Sequence, residues 1–102
     1  MKYQLVIQWS ASTVRDFDRM VEVEDAIEQA LPPGSVVDGH DAGSGEVNIF
    51  IHTDEPDRVF EMLKATLADS DALDTARVAF REQTGSEYTT LWPEGLEGFK
   101  VT

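Results

Sequence analysis

The sequence contains no cysteine, which removes disulfides, thiolate zinc sites and cysteine nucleophiles together. Positive charge is scarce: 8 Lys and Arg stand against 20 Asp and Glu, for a net charge of −12. A surface of that sign repels a phosphate backbone and an anionic membrane, so nucleic acid and lipid are poor partners. No apolar run approaches the length of a bilayer span. The opening Met1-Lys2-Tyr3-Gln4-Leu5 lacks the apolar block and small-residue cleavage site of a signal peptide, so the expected location is the cytoplasm. Motifs for bound phosphate or acyl transfer are missing as well. Gly43-Ser44-Gly45 has neither the lysine nor the strand-to-helix setting of a phosphate loop, and no serine sits on a nucleophile elbow. No cofactor is implied.

What is present suffices for one small domain. In 102 residues, 41% of them apolar, there is room for one core. Tyr3, Leu5, Ile7 and Trp9 alternate along a first strand. Thr13 with Asp16 approximates a capping box for a helix over Val14 to Leu31, stopped by Pro32-Pro33-Gly34. Its apolar stripe is Phe17, Met20, Val21, Val23, Ile27, Ala30 and Leu31. Residues 35–41 form a second strand, 42–45 a turn, and 46–53 the clearest strand of the chain. Asp54, Glu55, Pro56 and Asp57 open a second helix, with a proline in the first turn and acids against the positive dipole end. Its stripe is Val59, Phe60, Leu63 and Leu67, and Thr75 to Arg81 makes a fourth strand. The order βαββαβ predicts an α+β, ferredoxin-like domain over 1–102: a four-stranded antiparallel sheet with two helices on one face. The segment 86–102 shows no periodicity, but Tyr88, Leu91, Trp92 and Phe99 predict that it packs on the domain as a C-terminal extension.

That fold assigns faces to the polar residues. With Leu5, Ile7, Val47, Ile49 and Ile51 turned to the helices, the period of two sends Gln4, Val6 and Gln8 to the open face, beside Asn48, Phe50 and His52. Arg77 and Arg81 join them if Val78 and Phe80 point inward. Gln4, Gln8, Asn48, Phe50, His52, Arg77 and Arg81 are thus the candidate interface, either to another protein or to a second copy of the chain. The bland alternative is an ordinary solvated face, or one covered by the tail.

The hairpin sets a second group. A two- or four-residue loop at 42–45 pairs His40 with Val47 and Asp38 with Ile49, turning both Asp38 and His40 towards the helices; a three-residue loop or a bulge would reverse this. Glu24 falls within the apolar stripe of the first helix and needs a partner or an edge position. Glu24, Asp38 and His40 therefore form a candidate pocket. Asp38, His40, Asp41 and Glu46 have donor types suited to a divalent metal, but successive strand residues point to opposite faces, which argues against one shared ion.

The stretch from Asp38-Gly39-His40-Asp41 through Gly43-Ser44-Gly45-Glu46 to Asn48-Ile49-Phe50-Ile51 resembles a segment of a group of small uncharacterised bacterial proteins. Val23-Glu24-Asp25 and Leu91-Trp92-Pro93 are similar too. The resemblance implies a bacterial cytoplasmic origin and no particular activity. Two functions compete. One is a non-enzymatic interaction module engaging another protein, in one version an immunity-type inhibitor masking a basic partner. The other is a small enzyme or ligand-binding protein using the pocket at Glu24, Asp38 and His40.

Overall fold

The computed structural model describes residues 2–10, 17–43, 45–69, 72–96 and 98–99. Along the chain run β1 (Tyr3–Ser10), α1 (Phe17–Ala30), β2 (Val36–Gly43), β3 (Glu46–Thr53), α2 (Pro56–Asp69), β4 (Arg77–Glu82) and β5 (Thr89–Trp92). The five strands make one antiparallel sheet in the order β2-β3-β1-β4-β5. The expected four strands are therefore corrected to five. The extra strand comes from the tail, where four residues with a register shift opposite Val78/Ala79 leave no alternation to read. The proposed cap at Thr13 and Asp16 and the helix start at Val14 lie outside the described residues, as do the side chains of Phe17 and Met20.

β1 and β3 sit at the centre because their alternate residues are the most apolar. Leu5, Ile7, Ile49 and Ile51 are fully buried, with Trp9 and Val47 nearly so. Val23 and Ile27 of α1 and Val59, Phe60, Leu63 and Leu67 of α2 join them in one core cluster with Val78. Both helices thus cover the same sheet face. Each of these side chains contributes roughly 1.5–3 kcal/mol by leaving water.

The start of α2 follows local chemistry. Pro56 occupies the first helical position, where a missing N–H costs nothing. The Glu55 carbonyl accepts the first helical bond, from Val59 N at 3.0 Å, and Thr53 Oγ1 accepts from Glu55 N at 3.1 Å. Asp54 Oδ1 accepts from the backbone N–H of Lys2 at 2.8 Å, tying the helix start to the start of β1. Past the other end of α2, Ala72 N reaches back to Leu67 O at 2.8 Å. The connection that follows is held by both tryptophans: Trp9 Nε1 donates to Ala72 O at 2.8 Å and Trp92 Nε1 to Leu73 O at 3.0 Å.

Beyond β5 the tail turns back towards its own strand. Leu96 N bonds Pro93 O at 3.2 Å in a turn, Thr90 Oγ1 donates to Leu96 O, and the Tyr88 and Phe99 rings lie 4.9 Å apart.

Candidate functional site

The hairpin of β2 and β3 carries most of the residues in question. Its register pairs Gly43 with Glu46, Ala42 with Val47, Asp41 with Asn48, His40 with Ile49 and Gly39 with Phe50. A shift between Val37 and Gly39 follows, and Val37 then opposes Ile51 and Val36 opposes His52. The expected pairing of His40 with Val47 is displaced by two residues, which preserves its face. His40 points to the helix layer and its Nδ1 lies 2.9 Å from Glu24 Oε2. The Glu24 side chain keeps 17% of its exposure and His40 33%, so a largely covered carboxylate inside an apolar stripe is answered by an imidazole from the sheet.

Asp38 is the correction. Expected beside Ile49 and turned to the helices, it is instead the residue taken up by the bulge, and its Oδ2 lies 3.2 Å from His52 Nε2. Gly39 supplies the cause: at φ +143° it holds a backbone conformation that L side chains rarely adopt, which lets the strand take one extra residue and turn Asp38 over. Glu24 and His40 therefore meet, while Asp38 stands apart from them on the opposite face. Among the described residues no three carboxylate or imidazole groups gather as a metal site.

The face opposite the helices holds several separate polar contacts. Gln8 Nε2 donates to Asn48 Oδ1 at 3.0 Å, and both side chains are 1% exposed. Asn48 Nδ2 is buried and finds no acceptor among the described residues. Arg77 Nη2 lies 3.6 Å from Glu46 Oε2, reaching across β1. Arg81 Nη1 donates to the carbonyls of Glu82, Gln83 and Gly85 at 3.0–3.1 Å and so shapes the turn that leaves β4. Between these groups Val6 and Ala79 are fully buried, Phe50 and Gln4 are half-buried, and Val36 is 48% exposed.

Two further features escaped the sequence. A shallow, open hollow of about 580 Å³ lies beside Tyr3, Phe80, Arg81, Glu82 and the 85–89 segment, away from the Glu24–His40 pair; Tyr3 and Phe80 meet edge to face with centroids 5.6 Å apart. On the helix side, Lys64 Nζ sits 5.1 Å from the Phe60 ring centre and 5.6 Å from that of Trp92. Both depend on contacts between distant segments, and only the aromatic residues themselves were visible in advance.

Comparison with known protein families, with characterised proteins and with solved structures finds no match to this chain. Among the described residues no helix is long and apolar enough to cross a membrane.

Proposed function

We propose that this chain is a non-enzymatic protein-interaction module whose contact surface is the sheet face opposite the helices. One observation carries this reading. The polar side chains of that face are turned to one another: His52 to Asp38, Arg77 to Glu46, Gln8 to Asn48, and Arg81 to three carbonyls. The groups with most to gain from a partner are the apolar ones beside them, half-exposed Val36 and part-covered Phe50. Pre-paired polar groups beside exposed apolar ones fit a protein contact, in which the apolar groups are covered and the polar ones stay wet at the rim. The net charge of −12 favours a basic surface in any partner other than the chain itself, as in an immunity-type inhibitor masking a basic protein.

The strand order and the two covering helices also support the finer assignment of a ferredoxin-like βαββαβ unit with β5 added beside β4. Function does not follow from that assignment, since the architecture serves many unrelated roles.

The reading is tested by cross-linking the tagged full chain in extracts of its source cells and comparing Phe50→Asp with Glu28→Lys, a change on the exposed side of α1. Loss of specific adducts in Phe50→Asp alone is the expected result. Adducts that persist in Phe50→Asp overturn it.

A further inference from the structure

The polar residues of the open face are laid out so that the face complements itself. Strand register sets them in rows. At the hairpin end the row is Asp41, Asn48, Gln8, Arg77; in the middle it is Gly39, Phe50, Val6, Ala79; at the far end it is Val36, His52, Gln4, Arg81, with Asp38 bonded to His52. The acids Asp38, Asp41 and Glu46 belong to β2 and β3, both arginines belong to β4, and β1 between them brings no charge. Three acids against two arginines leave this face at −1 with histidine neutral, in a chain of −12. The other side is unlike it, for α1 alone carries Glu22, Glu24, Asp25 and Glu28 there. Two copies that meet through the sheet therefore avoid most of their mutual repulsion.

Consider a two-fold axis running parallel to the strands between β1 and β3. It lays β4 of a second copy over β2, and β1 of the second copy over β3. Each row then meets itself reversed. Arg77 of the second copy faces Asp41, and Arg81 of the second copy faces the Asp38–His52 end. An isologous contact makes each of these pairings twice. We propose that the open sheet face joins two copies of this chain about such an axis; the inference rests on the interaction-module reading above and names its partner.

Both sheet edges favour this over edge pairing. β2 is bulged and bears Asp38 and Asp41, and β5 has only four residues, two devices that discourage strand addition. The contact is small. Four strands about 4.8 Å apart and six residues of about 3.3 Å give a footprint of at most roughly 20 by 20 Å, within which Asn48, Gln8, Val6 and Ala79 are already covered in the single chain, so the contact is a weak one and the pair should form at micromolar concentrations or above.

Sedimentation of the full chain from about 5 µM to about 500 µM brackets that range. The expected result is a mass rising from 11.3 kDa to twice that value. Asp41→Arg alone sets two guanidinium groups against each other across the axis, and Arg77→Glu alone sets two carboxylates against each other; each should weaken the pair at least ten-fold. Mixed in equal amounts, the two variants should form a mixed pair of wild-type strength, because every contact across the axis then joins opposite charges. Asp41→Arg leaves the Arg77–Glu46 pair intact, and circular dichroism checks that each variant is folded. Should Arg77→Glu fail to fold, Asp41→Arg and Phe50→Asp carry the test, each expected to remain single. A wild-type chain that stays single throughout the range, single variants that pair as well as wild type, or a mixture that does not recover overturns the inference. If the chain stays single while Phe50→Asp still abolishes its cross-links to another protein, the second copy is wrong and the open-face reading stands. If the cross-links survive Phe50→Asp as well, both are wrong.

Discussion

Glu24 shows how one polar residue is kept inside an apolar stripe. Its oxygen meets His40 Nδ1 at 2.9 Å, which ties α1 to an edge strand that offers little else to hold. Removing one partner strands the other, so Glu24→Ala should cost about 1 kcal/mol, the usual net worth of such a bond. Replacing both by leucine removes the need for pairing, and Glu24→Leu/His40→Leu should cost less than the two single changes added together. Urea unfolding of the four proteins checks this; strict additivity would show that the two side chains do not depend on each other. At the same scale, Gly39→Ala meets no neighbour within 4 Å, so its cost is conformational, about 1–3 kcal/mol for a strained φ. The change should also separate Asp38 from His52, visible as altered imidazole resonances of His52.

Among the elements, β2 differs from its neighbours. From Val36 to Asp41 none of its residues is buried, whereas β1 buries five in succession, Leu5 to Trp9. β2 is held by its ladder to β3, by the Glu24–His40 contact and by Asp38–His52. Part-buried Val37 packs against the core, but strands with few buried apolar contacts open at lower free energy than the molecule as a whole. Amides in the β2–β3 ladder should therefore exchange with solvent through local opening, well before those of the β1–β3 ladder. Equal protection of the two ladders would count against this. The same contrast explains what could be read in advance. β1, β3 and α2 are written in strong periodicities, and the face of each polar residue on β1, β3 and β4 followed from them. The position of Asp38 did not, because a single inserted residue leaves the hydrophobic pattern unchanged; Gly39 alone hinted at it. β5 was hidden for a related reason, since its four residues gain order from pairing with β4 and from Trp92 reaching Leu73 O, not from any pattern of their own.

Across the whole molecule, the charge of −12 is spread over a body whose Cα radius of gyration is 12.4 Å. At low ionic strength such a charge opposes compaction, and added salt screens it within about 10 Å at 0.1 M. Thermal stability should rise as sodium chloride goes from about 10 mM to about 500 mM, over which the screening length falls several-fold. A fall in Tm over that range would mean that the ion pairs, Arg77–Glu46 and Arg58–Glu55 among them, outweigh the general repulsion.

The two indoles have a consequence for how the chain can be cut. Trp9 and Trp92 stand near opposite ends of the sequence, yet their N–H groups close on consecutive carbonyls, Ala72 and Leu73. Surface connections are ordinarily the safest places to open a backbone or splice in a foreign segment. The connection from α2 to β4 is not such a place, because a break there would loosen at one stroke the strand that begins the fold and the strand that ends it. A circular permutant would do better with its new termini at the tip of the β2–β3 hairpin.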